Sequence, residues 1–264
     1  MQFSPNERFI VTGNGGRGDA PSTVIVHDVL SMSEKRKFTV PLTSESGQMD
    51  WPHLKWSHDS RFFARQTTDT ISVYEMPNCG LLDKKSLKCP GVRGFSWSPI
   101  DNYISYWVPE QGEAPARVTI IGIPRRNEVR VKNLYNVQSI EMAWQDQGKY
   151  LAVRVDRPVK GKKSTFTSSF EIFHVKEKEV PVDTVEVKEA VTRFQWEPKG
   201  NRLCALHGEP NKVSCSLFDV QKGKVTLMVT IPDLRSIDCI FWSPAGRYCV
   251  LAQLYNLQNV SLFN

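Results

Sequence analysis

Two short glycine-containing strings carry residue types that could do chemistry. Gly13-Asn14-Gly15-Gly16-Arg17-Gly18 fits G-x-G-x-x-G, the loop that brings backbone amides against a dinucleotide pyrophosphate. That chemistry needs a helix starting at the loop, so that its amides and dipole face the phosphates. Here Asp19-Ala20-Pro21 and the β-branched run Thr23-Val24-Ile25-Val26 follow, so the string reads as a plain connection. Gly161-Lys162-Lys163-Ser164 ends like a phosphate loop but lacks the preceding glycine and the helix after it. No nucleophile elbow G-x-S-x-G and no H-E-x-x-H occurs, and His27, His53, His58, His174 and His207 fall without metal-ligand spacing. His207-Gly208-Glu209-Pro210 reads as a loop, and His27-Asp28, closing a strand, reads as a structural hydrogen bond. The expectation is no catalytic group, no cofactor, no metal and no small-molecule substrate.

Six cysteines stand singly, several inside apolar runs, and read as buried reduced thiols packed as small hydrophobes. The chemistry with most promise is cationic. Lys84, Lys85 and Lys88 form one cluster; Arg125, Arg126, Arg130 and Lys132 a second; Arg154, Arg157, Lys160, Lys162 and Lys163 a third. Each is placed in or beside a connection, where cations can meet phosphates and release counterions. The favoured patch is the basic stretch from Asp156 to Ser168, read as the longest loop. The residues proposed to contact RNA or the ribosome are therefore Arg157, Lys160, Lys162, Lys163, Arg125, Arg126, Lys84 and Lys85. A net charge of +6 over 264 residues agrees with an anionic partner. The first residues lack the basic start and apolar run of a secretory signal, and no stretch approaches the roughly 18 apolar residues of a membrane span. The protein is expected to be soluble and cytoplasmic, with no membrane partner.

The elements that must position these residues come from a repeat. An aromatic, a Ser-Pro-like turn, a second aromatic and an aliphatic run recur six times, anchored at Phe3, Trp56, Trp97, Trp144, Trp196 and Trp242. The five tryptophans are spaced 41, 47, 52 and 46 residues apart, near the roughly 40 to 45 residues of a four-stranded propeller blade. Alternating runs such as Ile71-Ser72-Val73-Tyr74 and Phe170-Glu171-Ile172-Phe173 supply third strands, and runs such as Val182–Val187 supply fourth ones. One blade cannot cover both its faces, so blades must stack, and the recurrent tryptophans are read as the packing between neighbours. The fold class is all-β: a single, partial WD40-like β-propeller over residues 1–264, with four whole four-stranded blades and two incomplete ones, part of a longer chain.

Several strings go beyond generic propeller sequence. Lys55-Trp56-Ser57-His58-Asp59-Ser60-Arg61-Phe62-Phe63-Ala64-Arg65, Gly80-Leu81-Leu82-Asp83-Lys84-Lys85-Ser86-Leu87-Lys88, Tyr106-Trp107-Val108-Pro109-Glu110 and Leu206-His207-Gly208-Glu209 resemble, in order, segments of the b-type subunit of eukaryotic translation initiation factor three. The resemblance implies a nine-bladed propeller in a cytosolic, non-catalytic scaffold. It implies that the scaffold joins the other subunits of that complex and lies on the small (40S) ribosomal subunit during initiation. It brings no compact motif for the ribosome contact. Trp-Ser-Pro repeats also occur in the gating propellers of serine peptidases, and a protein-binding propeller adaptor is a third reading.

Overall fold

In the computed structural model, residues 1–14, 22–40, 53–159, 161, 165–209 and 211–254 are described. They form two compact units, the first Met1–Pro109 with Arg117–Lys132, the second Glu110–Ala116 with Asn133–Asn264.

The first unit holds three antiparallel sheets. β1 (Gln2–Phe3), β2 (Phe9–Asn14), β3 (Ser22–Asp28) and β4 (Glu34–Val40) form one. β5 (Leu54–Trp56), β6 (Phe62–Gln66) and β7 (Thr70–Glu75) form the next, with the two-residue strands β8 (Gly80–Leu81) and β9 (Leu87–Lys88) both on the outer side of β7. β10 (Gly94–Trp97), β11 (Tyr103–Val108), β12 (Ala116–Gly122) and β13 (Asn127–Leu134) complete it. The second unit repeats the plan with β14 (Ser139–Trp144), β15 (Tyr150–Pro158), β16 (Phe166–His174) and β17 (Val182–Val187). β18 (Val191–Trp196), β19 (Arg202–Glu209), β20 (Lys212–Gln221) and β21 (Lys224–Leu234) follow, then the pair β22 (Cys239–Trp242) and β23 (Cys249–Ala252). Strands within each four-stranded sheet run in sequence order, the meander of a propeller blade. The repeat anchored at Phe3, expected to be incomplete, has four strands because Gln2 and Phe3 pair with Val11 and Ile10. No helix among the described residues is long and apolar enough to cross a membrane.

The recurrent motif now has a physical reading. In all six repeats the N–H at the Ser position donates to the carbonyl five residues on, closing the turn at 2.8 to 3.0 Å: Ser4 to Phe9, Ser57 to Phe62, Ser98 to Tyr103, Gln145 to Tyr150, Glu197 to Arg202 and Ser243 to Tyr248. The Oγ of Ser4, Ser57 and Ser243 also accepts the N–H of that fifth residue, each at 3.0 Å. Ser, with a short side chain able to accept from nearby backbone, suits the position.

The two motif aromatics meet across neighbouring sheets. Phe9 stacks on Trp56, Phe62 on Trp97 and Tyr150 on Trp196, at 6.1, 6.5 and 5.9 Å between centroids. The indole N–H of Trp97 donates to the Lys55 carbonyl, and that of Trp196 to the Ala143 carbonyl, both at 2.9 Å. Each core is accordingly shared by consecutive sheets. Phe9, Val11, Val24, Val26 and Phe38 of the first pack on Leu54, Trp56 and Phe63 of the second. Tyr150, Ala152, Phe170 and Ile172 pack on Trp196, Leu203, Ala205 and Phe218 in the second unit. Polar latches join the turns too, Asn102 to Asp59 in one unit and Gln145 to the Gly200 carbonyl in the other.

Where the third strand turns into the fourth, a backbone N–H donates to a carbonyl of the first turn in five repeats, as in Val29 to Arg8, Met76 to Arg61 and Ile123 to Asn102. Those hairpins therefore sit at a fixed end of each sheet, and Arg125 and Arg126 lie on one of them.

Candidate nucleic-acid interface

The clusters around residues 84 and 125, separate in sequence, come together. After β8 the chain makes a short 3-10 turn, Leu82–Lys84, in which Asp83 and Lys84 have φ of 50° and 55°. Leu82 is buried, while Asp83, Lys84 and Lys85 are exposed. The β12–β13 hairpin, Gly122 to Asn127, is closed by the Arg126 N–H donating to the Gly122 carbonyl at 2.7 Å. The Arg126 guanidinium then reaches the 3-10 turn. Its Nη2 donates to the carbonyl oxygens of Leu82 (2.7 Å) and Lys85 (2.6 Å), and its Nε lies 3.7 Å from the Asp83 carboxylate.

Arg126 is thus a clamp, only 18% exposed, with Nη2 shared between two carbonyls of the 3-10 turn. A planar fork of donors can hold two carbonyls at once, which a lysine cannot do as rigidly. What it holds is a rigid platform for Lys84, Lys85 and Arg125, all exposed and, among the described residues, without ion pairs. Charge that is exposed yet fixed in place is what phosphate contact requires. Sequence reasoning found these three but not the clamp that joins them.

The favoured stretch is differently built. Asp156 to Ser168 is strand at both ends, because β15 continues to Pro158 and β16 begins at Phe166, with Arg157 in register with Thr167. The alternation of Val153, Val155 and Arg157 extends the pleat beyond the apolar residues, which a reading by composition took for the end of the strand. Arg157 Nη1 donates to Ser169 Oγ at 2.6 Å, Nε to the Tyr135 carbonyl at 3.3 Å, and Nη2 lies 3.9 Å from buried Glu171. It lines a cleft of about 340 Å³ with Thr167, Ser169, Thr184, Glu186 and Lys188. Lys160, Lys162 and Lys163 lie outside the described residues. Lys188, on the rim of this cleft, was missed because a lone lysine after a strand carries no sequence signal.

Other cations are structural. Arg154, read as part of a loop cluster, lies within β15 and pairs with Glu141 (2.9 Å) and Asp156 (3.3 Å). Lys55 donates to the Phe95 carbonyl at 2.7 Å, and burial holds its ammonium below the usual lysine range. His207 is in strand β19, not in a loop, and meets Glu189 at 2.6 Å and Ser216 at 2.8 Å. Asp28 caps its turn, accepting from the N–H groups of Leu30 and Ser31. Five cysteines are buried and Cys249 is exposed, contrary to the uniform expectation. Cys204 and Cys215 touch at 3.3 Å, although eleven residues apart. Among the described residues no group of three or more His, Cys, Asp or Glu is placed to hold a metal ion.

The family model of eukaryotic translation initiation factor eIF2A matches residues 132–264. The chain belongs to that family. It is similar along its whole length to the B-type subunit of eukaryotic translation initiation factor 3 of Xenopus laevis, 44% identical over 265 residues, which cover 38% of that protein. The Bombyx mori protein of the same name is 45% identical over 96% of this chain and 37% of its own. The chain thus spans about two fifths of the length of these curated relatives, and the resemblance to the b-type subunit read from the sequence is borne out in them. A solved structure titled "Crystal structure of the eukaryotic initiation factor" superposes with a TM-score of 0.74 over 96% of this chain and 59% of its own, at 19% identity. That likeness concerns the fold.

Proposed function

We propose that this chain is a non-catalytic scaffold portion of the cytoplasmic initiation factor 3 complex. It joins the other subunits of that complex and docks on the small ribosomal subunit, with basic residues at strand connections meeting ribosomal RNA phosphates. The observation that carries the reading is the 44% identity to a B-type subunit over the full chain, with the clamped cations Lys84, Lys85 and Arg125 as the means of contact. Rigid sheets stacked through aromatic pairs suit a scaffold, because contacts on their hairpins are preorganised. The whole of residues 1–264 acts as one propeller region in this proposal.

Cosedimentation with purified small ribosomal subunits tests it. The chain should pellet with the subunits at low salt and release as salt rises, and changing Arg157, Lys160, Lys162 and Lys163 to Gln should weaken pelleting further if the favoured stretch contributes. A folded chain that stays in the supernatant at low salt would refute ribosome docking by this portion.

A further inference from the structure

The outer edges of the sheets are not alike. An outermost strand exposes a row of unpaired backbone N–H and C=O groups, and proteins ordinarily blunt such edges with charge or brevity. β4 carries Glu34, Lys35, Arg36 and Lys37; β13 carries Glu128, Arg130 and Lys132; β17 carries Asp183 and Glu186. The second sheet ends in two strands of two residues each. β21 does neither. It is eleven residues long, and from Val225 to Pro232 it carries no charge. Leu227 and Met228 are each 54% exposed, Val229 and Ile231 each 47%.

The register explains why both sides of this edge are apolar. Val229 and Ile231 lie opposite Leu217 and Cys215, which pack toward β22 and β23. Leu227 lies opposite Phe218, which packs toward the β14–β17 sheet. Met228 is the extra residue of a bulge between these pairs. Among the described residues β21 is hydrogen-bonded to β20 alone. Exposed Lys222 and Lys224 stand at one end, while at the other Asp233 lies 3.9 Å from Lys212, so the edge presents a basic start.

We propose that β21 is a docking edge for an extended segment of another polypeptide of the initiation-factor assembly, which adds as a further strand beside Thr226–Ile231. Main-chain hydrogen bonds supply its affinity, apolar side chains at successive positions continue both faces, and a carboxylate at one end meets Lys222 and Lys224. This inference rests on the proposed membership of the complex.

Hydrogen exchange at residues 224–234 tests it, measured in the full-length subunit alone and in the reconstituted complex. The outward amides should exchange quickly in the subunit alone and slow about tenfold or more in the complex. A Leu227→Lys, Val229→Lys double variant with unchanged exchange elsewhere should lose that slowing. Three results would overturn the inference: protection already present in the subunit alone, which assigns the edge to later strands of its own chain; protection that grows with its concentration, which assigns it to a second copy; and assembly with no slowing. Failure of the subunit to enter the complex would instead overturn the functional reading and this inference with it.

Discussion

Replacing Trp97 and Trp56 by phenylalanine, one at a time, should have unequal costs although the two hold the same place in consecutive repeats. Both are 8% exposed, and both stack on an aromatic of the preceding sheet. Losing one ring of the indole removes on the order of 35 Å² of buried apolar surface, about 1 kcal/mol, plus a similar cavity cost where the site does not collapse. Trp97 also loses its hydrogen bond to the Lys55 carbonyl, which costs about 1 kcal/mol. The indole nitrogen of Trp56 is buried and, among the described residues, finds no acceptor, so its removal relieves an unpaired donor. The expected cost is about 3 kcal/mol for Trp97→Phe and about 1 kcal/mol for Trp56→Phe, a gap near 2 kcal/mol. Urea unfolding of the three proteins, followed by circular dichroism, measures the gap within one compact unit. Equal costs, within about 0.5 kcal/mol, would refute the idea that the indole hydrogen bond latches neighbouring sheets.

Arg126→Gln should leave the sheets intact but speed amide exchange in residues 82–86, by about tenfold, because two carbonyls lose a shared charged donor. Gly246 has φ of +72°, and a Cβ there would lie 2.5 Å from the Glu197 carboxylate, so Gly246→Ala should cost about 2 kcal/mol in urea titrations. The hydrogen bonds from Arg202 hold the Glu197 carboxyl below its ordinary value of 4.5. A depressed carboxylate stabilises the fold above its unfolded pKa and loses that contribution as pH falls through the folded one. The stability lost in Arg202→Met should therefore be full at neutral pH and shrink below about pH 4.5 in acid titrations. Thiol labelling of the native protein should modify exposed Cys249 first, while Cys79, whose thiol burial pushes up to about 11, should react only on unfolding.

The sheet repeat was legible because its signals are local. A tryptophan, a Ser-Pro turn and a second aromatic dictate their own turn, and the pleat's alternation fixes which side chains face the neighbouring sheet. The third strands at Ile71–Tyr74 and Phe170–Phe173 follow directly from that alternation. What stayed hidden depends on contacts distant in sequence. Arg126 reads as one more basic loop residue until the fold brings it to Leu82 and Lys85, more than forty positions away. Arg157 and His207 read as loop residues in the sequence because polar and Gly-containing strings end strands on average, yet the ladder holds both. The bare edge of β21 became visible only once its neighbours' edges could be compared.

That exposed cations on these strand connections meet ribosomal phosphates is tested most directly by the salt dependence of small-subunit binding. The unaltered protein is compared with a Lys84→Gln, Lys85→Gln, Arg125→Gln variant. Each phosphate contact adds roughly 0.7 to 0.9 to the slope of log K against log salt, so the variant's slope should be shallower by about 2. An unchanged slope, with the variant folded, would contradict the claim.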